Sequence, residues 1–262
     1  EAVRRLWRHC NQSLPESSID VWSTEQRVTK LLYQMEQRGV NVDPLQIDIL
    51  QARALYTLLQ TEEQLHQLVG RPVNPVSNTD CFDLLCNQYG LPVLGWTDAG
   101  QPSFDKESLS LYLQHIDAPL DVLKLLLQYR RVSVFNSLFL EKWKEVNING
   151  VMHPTYNQCV RTGRMSCSDP NLQQVTSDAK PLIVPPPGFG VVTADYSQIE
   201  FRVIVHYINN AACIESYSKD PWTDFHQWVA DMVPTRRRPA KTINFMIGYG
   251  GGKSKTVQVL ST

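Results

Sequence analysis

Val191-Val192-Thr193-Ala194-Asp195-Tyr196-Ser197-Gln198-Ile199-Glu200 is the stretch on which the fold turns. Small and β-branched residues run into a carboxylate, and Ile199, Val203 and Ile204 then share a helical face. The pattern predicts a buried strand over 191–195 that delivers into a helix beginning at Ser197. A carboxylate fixed at a strand end points into a cleft, and oxygen ligands of that kind suit a hard divalent cation. The same residues have a plainer reading. Asp195 can cap the helix, or Ser197 and Glu200 can form an S-x-x-E capping box. Just upstream, Pro185-Pro186-Pro187-Gly188 excludes both helix interior and central strand, which sets the segment apart.

Downstream, Arg237, Lys241, Phe245 and Tyr249 recur every four residues, followed by Gly250. Each such step advances a helix by about 40° beyond a full turn, so the four side chains share an arc of about 120°. Two cations followed by two aromatics is a poor core face and an unusual solvent face. It suits a phosphate chain at one end and a stacked base at the other. The bland alternative is a surface helix whose basic side chains snorkel. The helix is expected over Arg237–Gly248.

Upstream the chain is mainly helical. Trp22 to Arg38 carries Val28, Leu31, Leu32 and Met35 at helical spacing, with Gly39 at the C-cap position. Pro44 to Val69 carries a stripe of Leu45, Ile49, Leu50, Ala54 and Leu58, and Thr79 to Tyr89 reads as a short helix stopped by Gly90. Pro92 to Phe104 is turn-rich and predicts a loop or hairpin. A long helix is expected over Leu120–Glu145 from the recurrence of Leu123, Leu126, Leu127, Val134 and Leu138. Asn149-Gly150 then reads as a tight turn between short strands. After residue 150 the texture becomes loop-like, with Thr162-Gly163-Arg164 and Asp169-Pro170-Asn171 in polar surroundings.

Composition limits the classes. The 262 residues are 42% hydrophobic and 19% charged, which is ordinary for a globular protein. No apolar run approaches the roughly 18 residues of a membrane span, so no membrane role is expected. Glu1 to Cys10 lacks the long apolar stretch of a secretory signal. The six cysteines include no CxxC pair and read as buried small hydrophobes in a reducing compartment. Net charge is −1, yet residues 151–262 hold 11 Lys and Arg against 8 Asp and Glu, while residues 1–150 hold 14 against 18. The asymmetry has the sign a nucleic-acid role in the second half would give, but such footprints are local and a total over a half does not locate one.

Asp195-Tyr196-Ser197-Gln198-Ile199-Glu200 resembles the first palm motif of family A (bacterial DNA polymerase I-like) DNA polymerases. Arg237 to Gly250, RRPAKTINFMIGYG, resembles the nucleotide-binding fingers helix of that family. Thr162-Gly163-Arg164-Met165-Ser166 with Asp169-Pro170-Asn171-Leu172-Gln173 resembles its primer-template segment. The three stand in family order, and the resemblance spans nearly all of residues 20–262.

The resemblance implies an α+β, truncated right-hand architecture. Residues 1–20 would be the tail of a preceding 3′–5′ exonuclease-like domain and 21–150 a helical thumb. Residues 151–215 would open an α/β palm with an antiparallel sheet, and 216–262 would hold the fingers helices. It further implies that Asp195, assisted by the Tyr196 carbonyl, binds two Mg2+ ions. Arg237, Lys241 and His226 would hold the incoming triphosphate, with Gln198 beside the nucleotide. Glu200 would fill the space of a ribose 2′-hydroxyl, Phe245 would pack on the sugar, and Tyr249 with Gly250 would guard the templating base. Arg164, Asn171, Gln173 and Lys180 would touch the duplex, whose minor-groove acceptors are nearly sequence-independent. The implied partners are primer-template DNA and a deoxynucleoside triphosphate, in a bacterial or phage-infected cytoplasm. A processivity factor is left open.

Departures are visible. Lys180 stands where the family usually has arginine, and a point charge does not replace a planar fork. Met165 and Cys167 vary their segment. The family's second metal-binding carboxylate lies in a His-Asp-Glu motif, and no such triplet occurs here. The sequence therefore reads as an internal piece, inactive in isolation. The rival from another class is a non-catalytic DNA-binding remnant or one half of a split polymerase. A phosphate-loop ATPase is excluded for Gly248 to Ser254, because the pattern requires glycine at the place of Ile247.

Overall fold

A computed structural model describes residues 1–233 and 235–252. The chain divides into two compact units, Glu1–Val191 and Val192–Thr262. In the first unit, α1 (Ala2–Gln12) buries no side chain. Helix α2 (Ile19–Arg38) ends at Gly39, whose φ of 68° and ψ of −171° only glycine adopts readily. A Cβ there would stand 2.7 Å from the Met152 carbonyl oxygen. The close approach lets β1 (Val40–Asn41) enter the sheet directly.

Helix α3 (Pro44–Val69) is bounded as its end residues dictate. The Asp43 carboxylate accepts from the Gln46 amide at 3.0 Å, Pro44 occupies a first-turn position, and Gly70 closes the helix in the left-handed conformation. Its buried positions are Ile47, Ala54, Thr61, Leu65 and Val69. Leu45, expected on the apolar stripe, is exposed. Helix α4 (Asn78–Phe82) continues as a π-helical segment over Asp83–Gln88. Residues 92–104 form a loop closed by a single bridge between Trp96 and Pro102. A short α5 (Lys106–Tyr112), which the sequence reading does not anticipate, follows with Asp105 as its cap.

The long helix expected over 120–145 is α6 (Leu120–Phe135), then π-helical Asn136–Glu141, then α7 (Lys142–Val146). Beyond it, β2 (Asn147–Ile148) and β3 (Val151–Met152) flank the Asn149-Gly150 turn, and the sheet order is β1-β3-β2, antiparallel throughout. A second hairpin pairs β4 (Thr155–Asn157) with β5 (Ser166–Ser168).

Two clusters fill this unit. Leu65, Leu84, Leu85, Phe104, Leu109, Tyr112, Leu123 and Leu126 form one, with the Phe104 and Tyr112 rings stacked at 6.3 Å. Val42, Ile47, Phe139, Leu140, Trp143, Met152 and Leu182 form the other.

In the second unit, α8 (Ile199–Ile208), α9 (Ala211–Lys219), α10 (Phe225–Met232) and α11 (Arg237–Gly248) follow one another. Helices α8 and α11 meet at Gly248, where an added Cβ would lie 2.7 Å from Ile204 Cδ1.

The expected strand at 191–195 does not form. The segment is irregular and exposed, Val192 to 91%. A β-prone run becomes a strand only when a ladder takes up its amides and carbonyls, and no described segment pairs with it. Neither capping reading holds. Helix α8 begins at Ile199 rather than Ser197, Gln198 occupies its N-cap in a left-handed conformation, and no side chain caps it.

Candidate functional site

The loop that carries Asp195 and Tyr196 is held from behind by the helices of its own unit. Arg202, on α8, donates from Nε to the Ser197 carbonyl at 2.9 Å and from Nη2 to the Pro221 carbonyl. Its guanidinium lies 4.0 Å from the centre of the Tyr217 ring, a stacked cation–π geometry available to a planar cation. Gln198 donates to the Thr223 carbonyl at 3.1 Å and accepts from the Tyr217 hydroxyl at 3.5 Å. Burial raises the Tyr217 pKa, with Arg202 opposing. The loop therefore has a fixed back and an exposed front that includes the Asp195 side chain. Glu200 lies half-buried in the first turn of α8.

Helix α11 turns Ala240, Ile243 and Asn244 inward. Arg237 and Lys241 are exposed, Phe245 is half-buried and Tyr249 is 69% exposed. The expected cation-then-aromatic face is thus present beside the buried stripe. Lys241 Nζ lies 5.7 Å from the Phe245 ring centre. Gly250 follows with a φ of 80°, its amide donating to the Ile247 carbonyl at 3.1 Å.

His226 binds the helices together. It is 1% exposed, and its ring lies between Phe201 of α8 at 5.7 Å and Phe245 of α11 at 5.5 Å. Asn244 Nδ2 is 2.9 Å from His226 Nδ1. Burial lowers the His226 pKa; Asp224 opposes, while the nearby Arg237 and Lys241 push it further down. Three candidate phosphate-binding residues therefore share one neighbourhood. Asp224 orders it: one carboxylate oxygen accepts from the His226 and Gln227 amides at 3.0 and 3.1 Å, and the other accepts from Arg237 Nε at 2.7 Å.

The proposed duplex-contacting residues belong to the first unit. Arg164 lies on the exposed loop between β4 and β5. Asn171 accepts from the Gln173 amide at 3.0 Å, and the Gln173 side chain donates to the Met165 carbonyl at 3.1 Å. Lys180 is exposed at the start of a short 3-10 turn. The four side chains are exposed on polar loop surface. A hollow of about 670 Å3 in this unit, lined by Leu50, Leu127, Arg131, Phe135 and Asp178 among others, contains none of them.

The sequence reading missed Arg202, Asp224 and Asn244. Asp224 had a usable signal, a carboxylate immediately before an amphipathic segment. Asn244 had another, an amide within the apolar stripe Ala240, Ile243. Nothing in the sequence brings Arg202 to Tyr217.

A DNA polymerase family A model matches residues 46–262, and the chain belongs to that family. DNA polymerase I of Pseudomonas aeruginosa is 31% identical over 94% of this chain, and the match covers 28% of that protein. A DNA-directed DNA polymerase of Pseudomonas phage M6 is 29% identical over 92% of this chain and 40% of its own length. Among solved structures, the polymerase domain of M. smegmatis Pol1, in complex with DNA primer-template and dNTP, superposes with a TM-score of 0.79 at 25% identity. That match covers 90% of this chain and 44% of the other. The chain spans between about a quarter and two fifths of the curated relatives it matches. No helix among the described residues is long and apolar enough to cross a membrane.

Proposed function

We propose that this chain supplies the nucleotide-binding and primer-template-binding parts of a DNA polymerase that transfers dNMP from a dNTP to a primer 3′-hydroxyl. The observation that carries the reading is the face of α11 on which exposed Arg237 and Lys241 are followed by Phe245 and Tyr249, with the buried His226 of α10 packed behind it against Phe245. Family membership supports it.

On this reading Arg237 and Lys241 hold the triphosphate by charge-assisted hydrogen bonds, worth about 1.5–3 kcal/mol each. His226 adds a contact to the same phosphates. Phe245 packs on the sugar, Glu200 fills the 2′ position and so rejects ribonucleotides, and Gln198 borders the nucleotide. Tyr249 and Gly250 lie at the templating base, while Arg164, Asn171, Gln173 and Lys180 contact the duplex. The chain's domains are then a thumb over 21–150, the opening of a palm over 151–215 and fingers over 216–262, working in a bacterial or phage-infected cytoplasm.

The residues also fit a metal of the expected kind. Asp195 is exposed and is followed by the Tyr196 carbonyl, but among the described residues no three His, Cys, Asp or Glu side chains are grouped to hold a metal by themselves. One carboxylate and one carbonyl, completed by phosphate oxygens and water, form a donor set that Mg2+ accepts. When bound there, Mg2+ would neutralise phosphate charge and ease deprotonation of the attacking hydroxyl. The protein's own part is positioning and fixed positive charge, which carry most of phosphoryl-transfer catalysis.

The decisive experiment is primer extension by the full-length protein, wild type against Asp195→Ala. The variant should lose extension by several orders of magnitude while retaining dNTP binding. Equal extension by both would overturn the reading.

A further inference from the structure

Three observations on α8, α10 and α11 bear on the protonation state of a buried ring. Asn244 Nδ2 lies 2.9 Å from His226 Nδ1. The same nitrogen donates to the Phe225 carbonyl at 3.4 Å. The ring packs against Phe201 and Phe245, and a half-turn about its Cβ–Cγ bond would put Cδ2 in the place of Nδ1 and break the Asn244 contact.

An amide can be built with its oxygen and nitrogen exchanged, and the neighbours decide which is right. Here the Phe225 carbonyl decides. With the amide reversed, Asn244 Oδ1 would stand 3.4 Å from the Phe225 carbonyl oxygen and the hydrogen bond to that oxygen would be lost. The nitrogen therefore points at Phe225. Its second proton then points at His226 Nδ1, which must carry a lone pair. A protonated imidazole would set N–H against N–H.

We propose that Asn244 is a positioning residue that holds His226 as the neutral tautomer protonated on Nε2, leaving that N–H as the ring's donor toward an anionic oxygen. The identity of that oxygen, a phosphate of the bound nucleotide, rests on the function proposed above. The charged groups around the ring are Asp224 at the start of its own helix and Arg237 and Lys241 on α11, while α8 presents Phe201. Beside two fixed cations, a neutral donor adds direction without adding a third positive charge. It also keeps the contact unchanged over the range in which a free histidine titrates.

Long-range 1H–15N NMR on this chain, without nucleotide, reads the ring directly. At pH 7 wild-type His226 should show an unprotonated Nδ1 and a protonated Nε2. Asn244→Ala should give a mixture of tautomers. Asn244→Asp, which keeps the shape and substitutes an acceptor, should protonate Nδ1 and raise the His226 pKa by about one unit or more. A protonated Nδ1 in the wild type overturns the proposal, and that spectrum needs no variant to fold. So does an Asn244→Ala ring identical to the wild type. A dATP titration of the same samples, with Mg2+, separates the two ideas. A wild type with the expected ring that binds no dATP supports the tautomer assignment and refutes the nucleotide reading. Tight dATP binding by a wild type with protonated Nδ1 does the reverse.

Discussion

Asp224 holds Arg237 with one carboxylate oxygen, at 2.7 Å from Nε, while its other oxygen caps α10. One side chain thus sets both the start of the helix that carries His226 and the direction of the first cation on α11. Burial raises the Asp224 pKa, but the Arg237 hydrogen bond and the backbone amides outweigh it and leave the group below the ordinary 3.8. A depressed carboxylate pKa contributes stability that is present above the unfolded value and lost as pH falls through the folded one. Asp224→Ala should therefore destabilise the protein by about 1–2 kcal/mol near pH 7, mostly through the lost cap. Asp224→Asn keeps an acceptor for the amides and should cost under about 1 kcal/mol, because the ion pair is partly exposed. Urea unfolding of the Asn variant against wild type checks the sign. The gap should narrow as pH falls below 3.8 and through the depressed folded value, and a gap that does not change with pH across the acid range would contradict the linkage.

Gly39 and Gly70 both end helices at positive φ, yet they should respond differently to alanine. At Gly70 a Cβ meets nothing within 4 Å, so Gly70→Ala should cost only the left-handed backbone, about 1–2 kcal/mol. At Gly39 the backbone lies in a region essentially reserved for glycine, and the Cβ would also strike Val151 Cγ1 and the Met152 carbonyl. The Met152 carbonyl is backbone of β3 and cannot swing away. Gly39→Ala should cost at least about 2 kcal/mol, read as a lower urea midpoint, and equal losses at the two glycines would rule out the steric part.

Gly39 also shows what could be read from the sequence and what could not. Punctuation was legible. Pro44 and Gly70 bracket α3, Asn149-Gly150 makes its turn, and the four-residue recurrence from Arg237 gives the exposed face of α11, because each signal is local chemistry. Phase was less legible. Val134 and Leu138, placed on the apolar stripe of the long helix, are 53% and 59% exposed, while Phe139, Leu140 and Trp143 are buried. The π-helical segment over Asn136–Glu141 shifts the inward face at Leu138 and beyond, and a fixed 3.6-residue period does not anticipate it; Val134, which precedes the segment, is not explained by that shift. Val191 to Asp195 failed for another reason: β propensity states what a partner would stabilise without supplying the partner. At the site, the residues proposed to face ligand come from the family motifs. Those behind them, Arg202, Asp224 and Asn244, were set by tertiary packing.

Phe245 gives a specificity prediction that follows from the proposed nucleotide site. Its ring is half-buried, tilted against His226 and near Lys241. A phenylalanine offers no hydrogen-bonding group to the sugar, so a dideoxynucleotide finds nothing to replace its missing 3′-hydroxyl. Phe245→Tyr adds a phenolic oxygen at that end of the ring. Incorporation of dideoxynucleotides relative to deoxynucleotides by the full-length protein should rise tenfold or more, corresponding to about 1.4 kcal/mol. An unchanged ratio would remove Phe245 from the sugar contact.

Arg202 gives the prediction on which the order of the Asp195 loop depends. The guanidinium engages the Ser197 and Pro221 carbonyls and covers the Tyr217 ring, three contacts that need its planar fork. Lysine keeps the charge but can reach one carbonyl at a time and stacks poorly. Arg202→Lys should therefore lower stability only modestly, by about 1 kcal/mol, because the site is partly exposed. Its local effect should be larger than its global one. Helix α8 starts from Gln198 in a left-handed conformation without a side-chain cap, so the Ser197 tie is a main restraint on the preceding residues. Amide hydrogen exchange over residues 195–199 should quicken several-fold in Arg202→Lys while exchange in α10 stays as in wild type. Uniform acceleration across α8 to α11 would mean that Arg202 supports the whole unit rather than the loop that presents Asp195.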